Sequence, residues 1–171
     1  MLNKKNILSL ASIFGEDGTK KAKSELAKLD KEIQTVVAAN EKSNKNALAM
    51  MLNEGAISAF GAKSRFAFLY STLKFKPTDA KIKESRHGQE VSFESIKQIN
   101  PDIIFVLNRT LAIGGDNSAN KDLLNNSLIQ ETNAAKNKTI VNLTSDLWYL
   151  SGGGLESTKL MIEDVKNVAG K

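Results

Sequence analysis

The sequence predicts an α/β protein, a three-layer Rossmann-like lobe with a mostly parallel sheet, preceded by a helical segment. Three observations carry this. The first 45 residues contain no Pro and space their apolar side chains by three and four. From Ala47 onward, short apolar runs alternate with helix-like segments, the order expected of strand–helix–strand units. One run, Ile103–Leu107 (IIFVL), is apolar at every position, as a strand buried on both faces must be.

Each element follows from local signals. Asn6–Phe14 reads as a short amphipathic helix ended by Gly15, and after the Gly15–Gly18 break a longer helix runs from about Thr19 to Asn40. Its stripe is Leu26, Leu29, Ile33, Val36 and Val37. The polar stretch Glu41–Asn46 is a connection. Ala47–Leu52 and Ala56–Phe60 read as strands joined by a turn at Asn53-Glu54-Gly55. Ser64–Leu73 reads as a helix capped by Ser64, and Ser92–Ile99 as one capped by Ser92 with Glu94 in its first turn. Pro101 ends the latter and the IIFVL strand follows. Ala119–Asn137 reads as mostly helical, Thr139–Leu143 as a strand, and Gly154–Ala169 as the closing helix.

Composition excludes several functions. With no Cys and one His in 171 residues, there is no disulfide framework, thiol nucleophile, Cys-based zinc site or two-histidine site. No apolar run approaches the ~20 residues of a membrane span. The net charge of +5 is spread as nine basic against six acidic residues in 1–50, nine against six in 51–110, and six against seven in 111–171. The lysines form no block and no nucleic-acid-reading pattern accompanies them, so no nucleic-acid partner is expected. Arginine is the scarce charge: only Arg65, Arg86 and Arg109.

In open α/β sheets, ligands bind beyond the carboxyl ends of the strands. The segments after the predicted strands contain Arg65, then Arg109, then Trp148 and Tyr149 followed by Gly152–Gly154; His87 and Arg86 lie in an irregular stretch nearby. Arginine recognises anionic oxygens and stacks on aromatic faces, and a tyrosine phenolate is a hard ligand suited to ferric iron, with imidazole as companion. The set fits an anionic, oxygen-rich ligand carrying a metal with open positions. It does not fit hydrolysis, because no carboxylate pair or Ser–His–Asp spacing accompanies it. Each residue also has a plainer reading: surface charge for Arg86, a neighbouring ion pair for Arg65, interface packing for Tyr149, a dipole-stabilised carboxylate for Glu94. Two other classes stay open, a nucleotide-dependent enzyme on a Rossmann-like sheet and a protein-interaction lobe without a ligand. The first lacks a GxGxxG turn after any predicted strand.

The segments NEGAISAFGAKSRFAFLY, HGQEVSFESIKQINPDIIFVLNRTLAIGG and LWYLSGGGLES resemble the periplasmic siderophore-binding proteins of bacterial ABC importers, in particular the ferric catecholate (enterobactin-type) group. The resemblance runs from Asn6 to the C-terminus. It implies a binding protein and not an enzyme, with no tightly bound cofactor, since Fe(III) arrives as the siderophore complex. It implies that Arg65 and Arg109 contact catecholate oxygens and that His87 and Tyr149 complete the iron's coordination. Arg86 and Trp148 would line the ligand edge, and Glu94 would dock on the inner-membrane permease. Residues 1–45 would be the end of an inter-lobe connecting helix and the helix after it, and 46–171 the C-terminal lobe. The N-terminal lobe and lipoprotein signal would then lie outside this sequence, and the full-length protein would be periplasmic or lipid-anchored.

Overall fold

A computed structural model of the chain describes residues 2–171. Two helices come first, α1 (Lys4–Ser12) and α2 (Gly15–Asn40), an antiparallel pair tied by the Lys4–Asp30 ion pair at 2.6 Å. The break between them is shorter than the sequence suggests. Gly15 alone takes the left-handed conformation (φ +75°) and opens α2, while Gly18 is helical and lets the two helices touch: a Cβ there would lie 2.7 Å from the Ala11 carbonyl oxygen.

The next elements are β1 (Asn46–Asn53), β2 (Ala56–Phe60), a π-turn at Phe68–Thr72, β3 (Lys76–Pro77), β4 (Gln89–Glu90), α3 (Phe93–Ile99), β5 (Ile103–Asn108) and α4 (Arg109–Ala112). They are followed by two 3₁₀ turns, α5 (Ser127–Gln130), α6 (Asn133–Lys136), β6 (Ile140–Asn142), α7 (Ser145–Leu150) and α8 (Leu155–Val165). Among the described residues the six strands form one sheet in the order β4-β2-β1-β5-β6, with β3 against the start of β1. The β1, β3, β5 and β6 pairings are parallel; β2 and β4 form an antiparallel edge.

Side chains alternate along β1 and β5 into two cores. Ala47, Ala49, Met51, Phe105 and Leu107 pack with α2, α7 and α8 through Leu29, Val36, Leu147 and Val165. Leu48, Met50, Leu52, Ile104 and Val106 pack on the other face with Ile96, Ile129 and Ala134. Both faces are therefore covered, which is why IIFVL carries no polar residue. No helix among the described residues is long and apolar enough to cross a membrane.

Three further expectations are corrected. Ser64–Leu73 is not an α-helix: the Ser64 hydroxyl accepts from the Phe66 N–H in a turn, and the chain then widens into the π-turn, where the buried Tyr70 hydroxyl accepts from the Ala49 N–H of β1. The apolar periodicity there reflects core contacts of Phe66, Phe68 and Leu69, not an α-helical period. Ala119–Asn137 is broken into short turns because side chains take over backbone partners: Asn126 Oδ1 accepts from Leu128 N–H, Thr132 Oγ1 from Ala135 N–H, and Gln130 Nε2 donates to the Leu124 carbonyl. Finally, β2 runs antiparallel to its neighbour, so its carboxyl end points away from those of β5 and β6.

Candidate functional site

The carboxyl ends of β1, β5 and β6 meet at one polar edge. Asn53 closes β1, Arg109 is the first residue of α4 directly after β5, and Tyr149 sits in α7 after β6. The α4 turn starts where it does because the Asn108 side chain caps it, accepting from the Leu111 N–H at 3.1 Å. Arg109 is fixed from two sides: its Nε donates to the Tyr149 hydroxyl at 2.8 Å and its Nη1 to Asn53 Oδ1 at 2.7 Å. Arg65 arrives from the β2 side through the 61–66 turn. Its guanidinium carbon stacks 4.2 Å from the Tyr149 ring centre, and Nη2 donates to the Tyr149 carbonyl at 3.4 Å.

One tyrosine thus lies between two arginines. The hydrogen bond from Arg109 is the largest influence on the Tyr149 phenol and, with the nearby positive charge of both arginines, holds it below its ordinary pKa of 10 against the opposing effect of burial. Tyr70 behaves oppositely: it is buried, and desolvation raises its pKa. The two tyrosines are therefore chemically distinct, and the phenolate of Tyr149 is the accessible one.

The other residues singled out in the sequence are placed differently. Trp148 is buried beneath the edge, its indole N–H donating to Asp164 Oδ2 at 2.8 Å and its ring tilted against Phe68. Asp164 also accepts from the Thr144 N–H and hydroxyl, so it anchors the start of α7 and thereby the helix that carries Tyr149. Arg86 and His87 are exposed in the turn before β4 and hydrogen-bond to none of Arg65, Arg109 or Tyr149. That turn is shaped by Ser85, whose hydroxyl accepts from the His87 N–H, and by Gly88. At Gly88 (φ +77°) a Cβ would lie 2.8 Å from the Phe60 ring. Glu94 is exposed in the first turn of α3; its own backbone N–H and then the Ser92 side chain keep its carboxyl below the ordinary carboxylate pKa.

The structure therefore brings together Arg65, Arg109 and Tyr149, supports them through Trp148, and gives His87, Arg86 and Glu94 no hydrogen bond to them. The sequence reading missed Asn53, taken there as turn punctuation, and Asp164. Position alone could have flagged Asn53, since it ends a parallel strand at the ligand edge. Among the described residues no three His, Asp or Glu side chains converge on a common point.

The family profile described as "Periplasmic binding protein" matches residues 2–147. The chain is 73% identical to the iron uptake ABC transporter substrate-binding protein PiuA from Streptococcus pneumoniae, with a TM-score of 0.90 over 94% of this chain and 57% of that one. It is 45% identical to the petrobactin-binding protein YclQ of Bacillus subtilis over 93% of this chain and 49% of the relative. It is 33% identical to the ferric-anguibactin-binding protein FatB of Vibrio anguillarum over 95% of this chain and 50% of the relative. The chain spans about half the length of the curated relatives it matches. These relatives are named as binding proteins, not as enzymes.

Proposed function

From the premise that the chain belongs to the periplasmic binding protein family, we propose that it is the ligand-binding C-terminal lobe of a receptor that captures ferric catecholate siderophores and delivers them to an ABC permease. The observation that carries this reading is the Arg65–Tyr149–Arg109 cluster at the carboxyl edge of the parallel strands. Two guanidinium groups supply charge and paired donors for anionic catecholate oxygens. The names of the relatives support a siderophore ligand in general, and petrobactin and anguibactin in those proteins differ from one another. The catecholate preference is our reading of the arginine-flanked phenol.

In this mechanism the iron comes as cargo within its siderophore. Where the siderophore leaves coordination positions open, the Tyr149 hydroxyl gives its proton to solvent as its oxygen bonds to iron, and the paired arginines stabilise the phenolate that results. His87 supplies a second ligand through Nδ1 or Nε2 once the exposed 85–88 turn closes on the complex. Arg86, in that turn, adds positive potential that steers the anion. Trp148 supports Tyr149 from below and reports ligand by fluorescence. The second wall of the cleft belongs to an N-terminal lobe, joined through the helices of residues 2–45, in a full-length receptor held outside the cytoplasmic membrane. Glu94, ionised and exposed, then meets a basic patch on the permease.

Titration of the chain with ferric 2,3-dihydroxybenzoate, followed by Trp148 fluorescence, tests the reading. Saturable quenching that weakens roughly tenfold or more in Arg109→Ala is expected, the scale of losing a hydrogen bond to a charged group. No saturable quenching at millimolar complex overturns it.

A further inference from the structure

The geometry points to Asn53 as both a positioning residue and a direct donor of the same site: its side-chain oxygen sets the Arg109 guanidinium, and its amide N–H groups meet an anionic, oxygen-rich ligand beside it. The ligand half of this rests on the siderophore reading above; the positioning half does not.

Asn53 Oδ1 accepts from Arg109 Nη1 at 2.7 Å while Arg109 Nε is held by the Tyr149 hydroxyl. Two fixed contacts leave the planar guanidinium one orientation. Its Nη2 group has no hydrogen-bond partner among the described residues and is free for ligand. The Asn53 side chain is only half-buried, and its Nδ2 likewise has no hydrogen-bond partner among the described residues. One amide therefore turns its acceptor to the arginine and leaves its donor beside the freed Nη2.

The turn that carries Asn53 is itself stapled to the segment that carries Arg109. The Glu54 N–H donates to Thr110 Oγ1 at 3.1 Å and the Gly55 N–H to Asn120 Oδ1 at 2.8 Å. Asn120 is buried and its Nδ2 reaches Thr110 Oγ1 and Asn108 Oδ1 on either side of Arg109. Buried polar groups satisfied in this way rigidify what they hold. The residue type matters too. An aspartate at 53 would grip Arg109 more strongly but cancel its charge and repel an anion. An amide orients the arginine without neutralising it.

The test reads Arg109 directly. The chain has three arginines, so the Arg109 Nε–H signal in a nitrogen-15 NMR spectrum is assignable by its loss in Arg109→Lys. In Asn53→Ala, Arg109 loses its fixed orientation, and exchange of that Nε–H with solvent, slowed by its bond to the Tyr149 hydroxyl, is expected to speed up about threefold or more. Binding of ferric 2,3-dihydroxybenzoate should weaken about tenfold in Asn53→Ala, and further in Asn53→Asp although that variant keeps a partner for Arg109. Trp148 fluorescence checks that both variants are folded. An Arg109 Nε–H exchange rate that does not change in folded Asn53→Ala overturns the positioning role, and Asn53→Asp binding as tightly as wild type overturns the contact role. A wild-type chain that fails to bind the complex removes the contact role together with the siderophore reading, while the exchange measurement still decides the positioning role.

Discussion

The parallel half of the sheet and its antiparallel edge hold their polar residues by different means. Arg109 opens α4 directly after β5 behind the Asn108 cap, Tyr149 sits in α7 after β6, and Arg109 is locked to Tyr149 and to Asn53 by hydrogen bonds below 3 Å. Arg65 and His87 come from the β2–β4 side, where turns replace helices. Arg65 reaches the site through stacking and one long hydrogen bond, and His87 makes no hydrogen bond to it. The strand ends of the parallel half are fixed by a core on both faces, so the residues just past them inherit that rigidity. The antiparallel edge ends in turns, of which 61–66 is tied to the core by the buried Phe66 and 85–88 presents the exposed His87 to solvent. We read the first half as the preformed part of the site and the second as the part that adapts to ligand.

The largest effect expected from breaking this contrast is on the shared core. Phe105, fully buried in β5 and edge-on to Phe75 at 4.9 Å, supports both halves; Phe105→Ala should cost about 3–5 kcal/mol in urea unfolding. A loss under 1 kcal/mol would show that the parallel half is not the rigid one. Next comes the anchor of α7. Asp164→Ala removes acceptors from the Thr144 N–H and the Trp148 indole, an expected loss of about 1–3 kcal/mol by thermal or urea melting, together with a changed Trp148 emission. An unchanged emission spectrum would detach Tyr149's helix from this support.

Alkaline pH gives an intermediate effect with a definite sign. The Tyr70 pKa is raised in the folded state, so its contribution is intact below the unfolded value near 10 and is lost as pH rises beyond it. Urea stability should therefore fall above pH 10, and fall less steeply in Tyr70→Phe; identical slopes would contradict the buried, neutral hydroxyl. The smallest effect is at the surface. Lys4→Ala, which removes the exposed ion pair to Asp30, should change stability by about 0.5 kcal/mol or less.

How much of this was readable beforehand also divides along the sheet. β1, α3 and β5 follow from apolar runs and the Ser92 cap, signals that are local and physically direct. Arg109 and Tyr149 followed from one rule about parallel strand ends. The route of Arg65 did not, because β2 runs the other way and only the tertiary turn at 61–66 brings it back. The broken 118–137 stretch was hidden because Asn and Thr side chains compete for backbone partners in ways that apolar periodicity does not record. Asn53 was readable from its place at the end of a parallel strand, but not its contact, since its partner Arg109 lies 56 positions along the chain. Glu94 was legible as a helix-start carboxylate; its docking role rests on resemblance alone.

The central claim is that Tyr149, held between two arginines, coordinates the iron of a captured ferric catecholate. Its most direct test is the visible spectrum of the chain with a ferric bis-catecholate that leaves two coordination positions open. The account predicts a phenolate-to-iron charge-transfer band that is lost in Tyr149→Phe and altered in His87→Ala. The same band in wild type and Tyr149→Phe would contradict it.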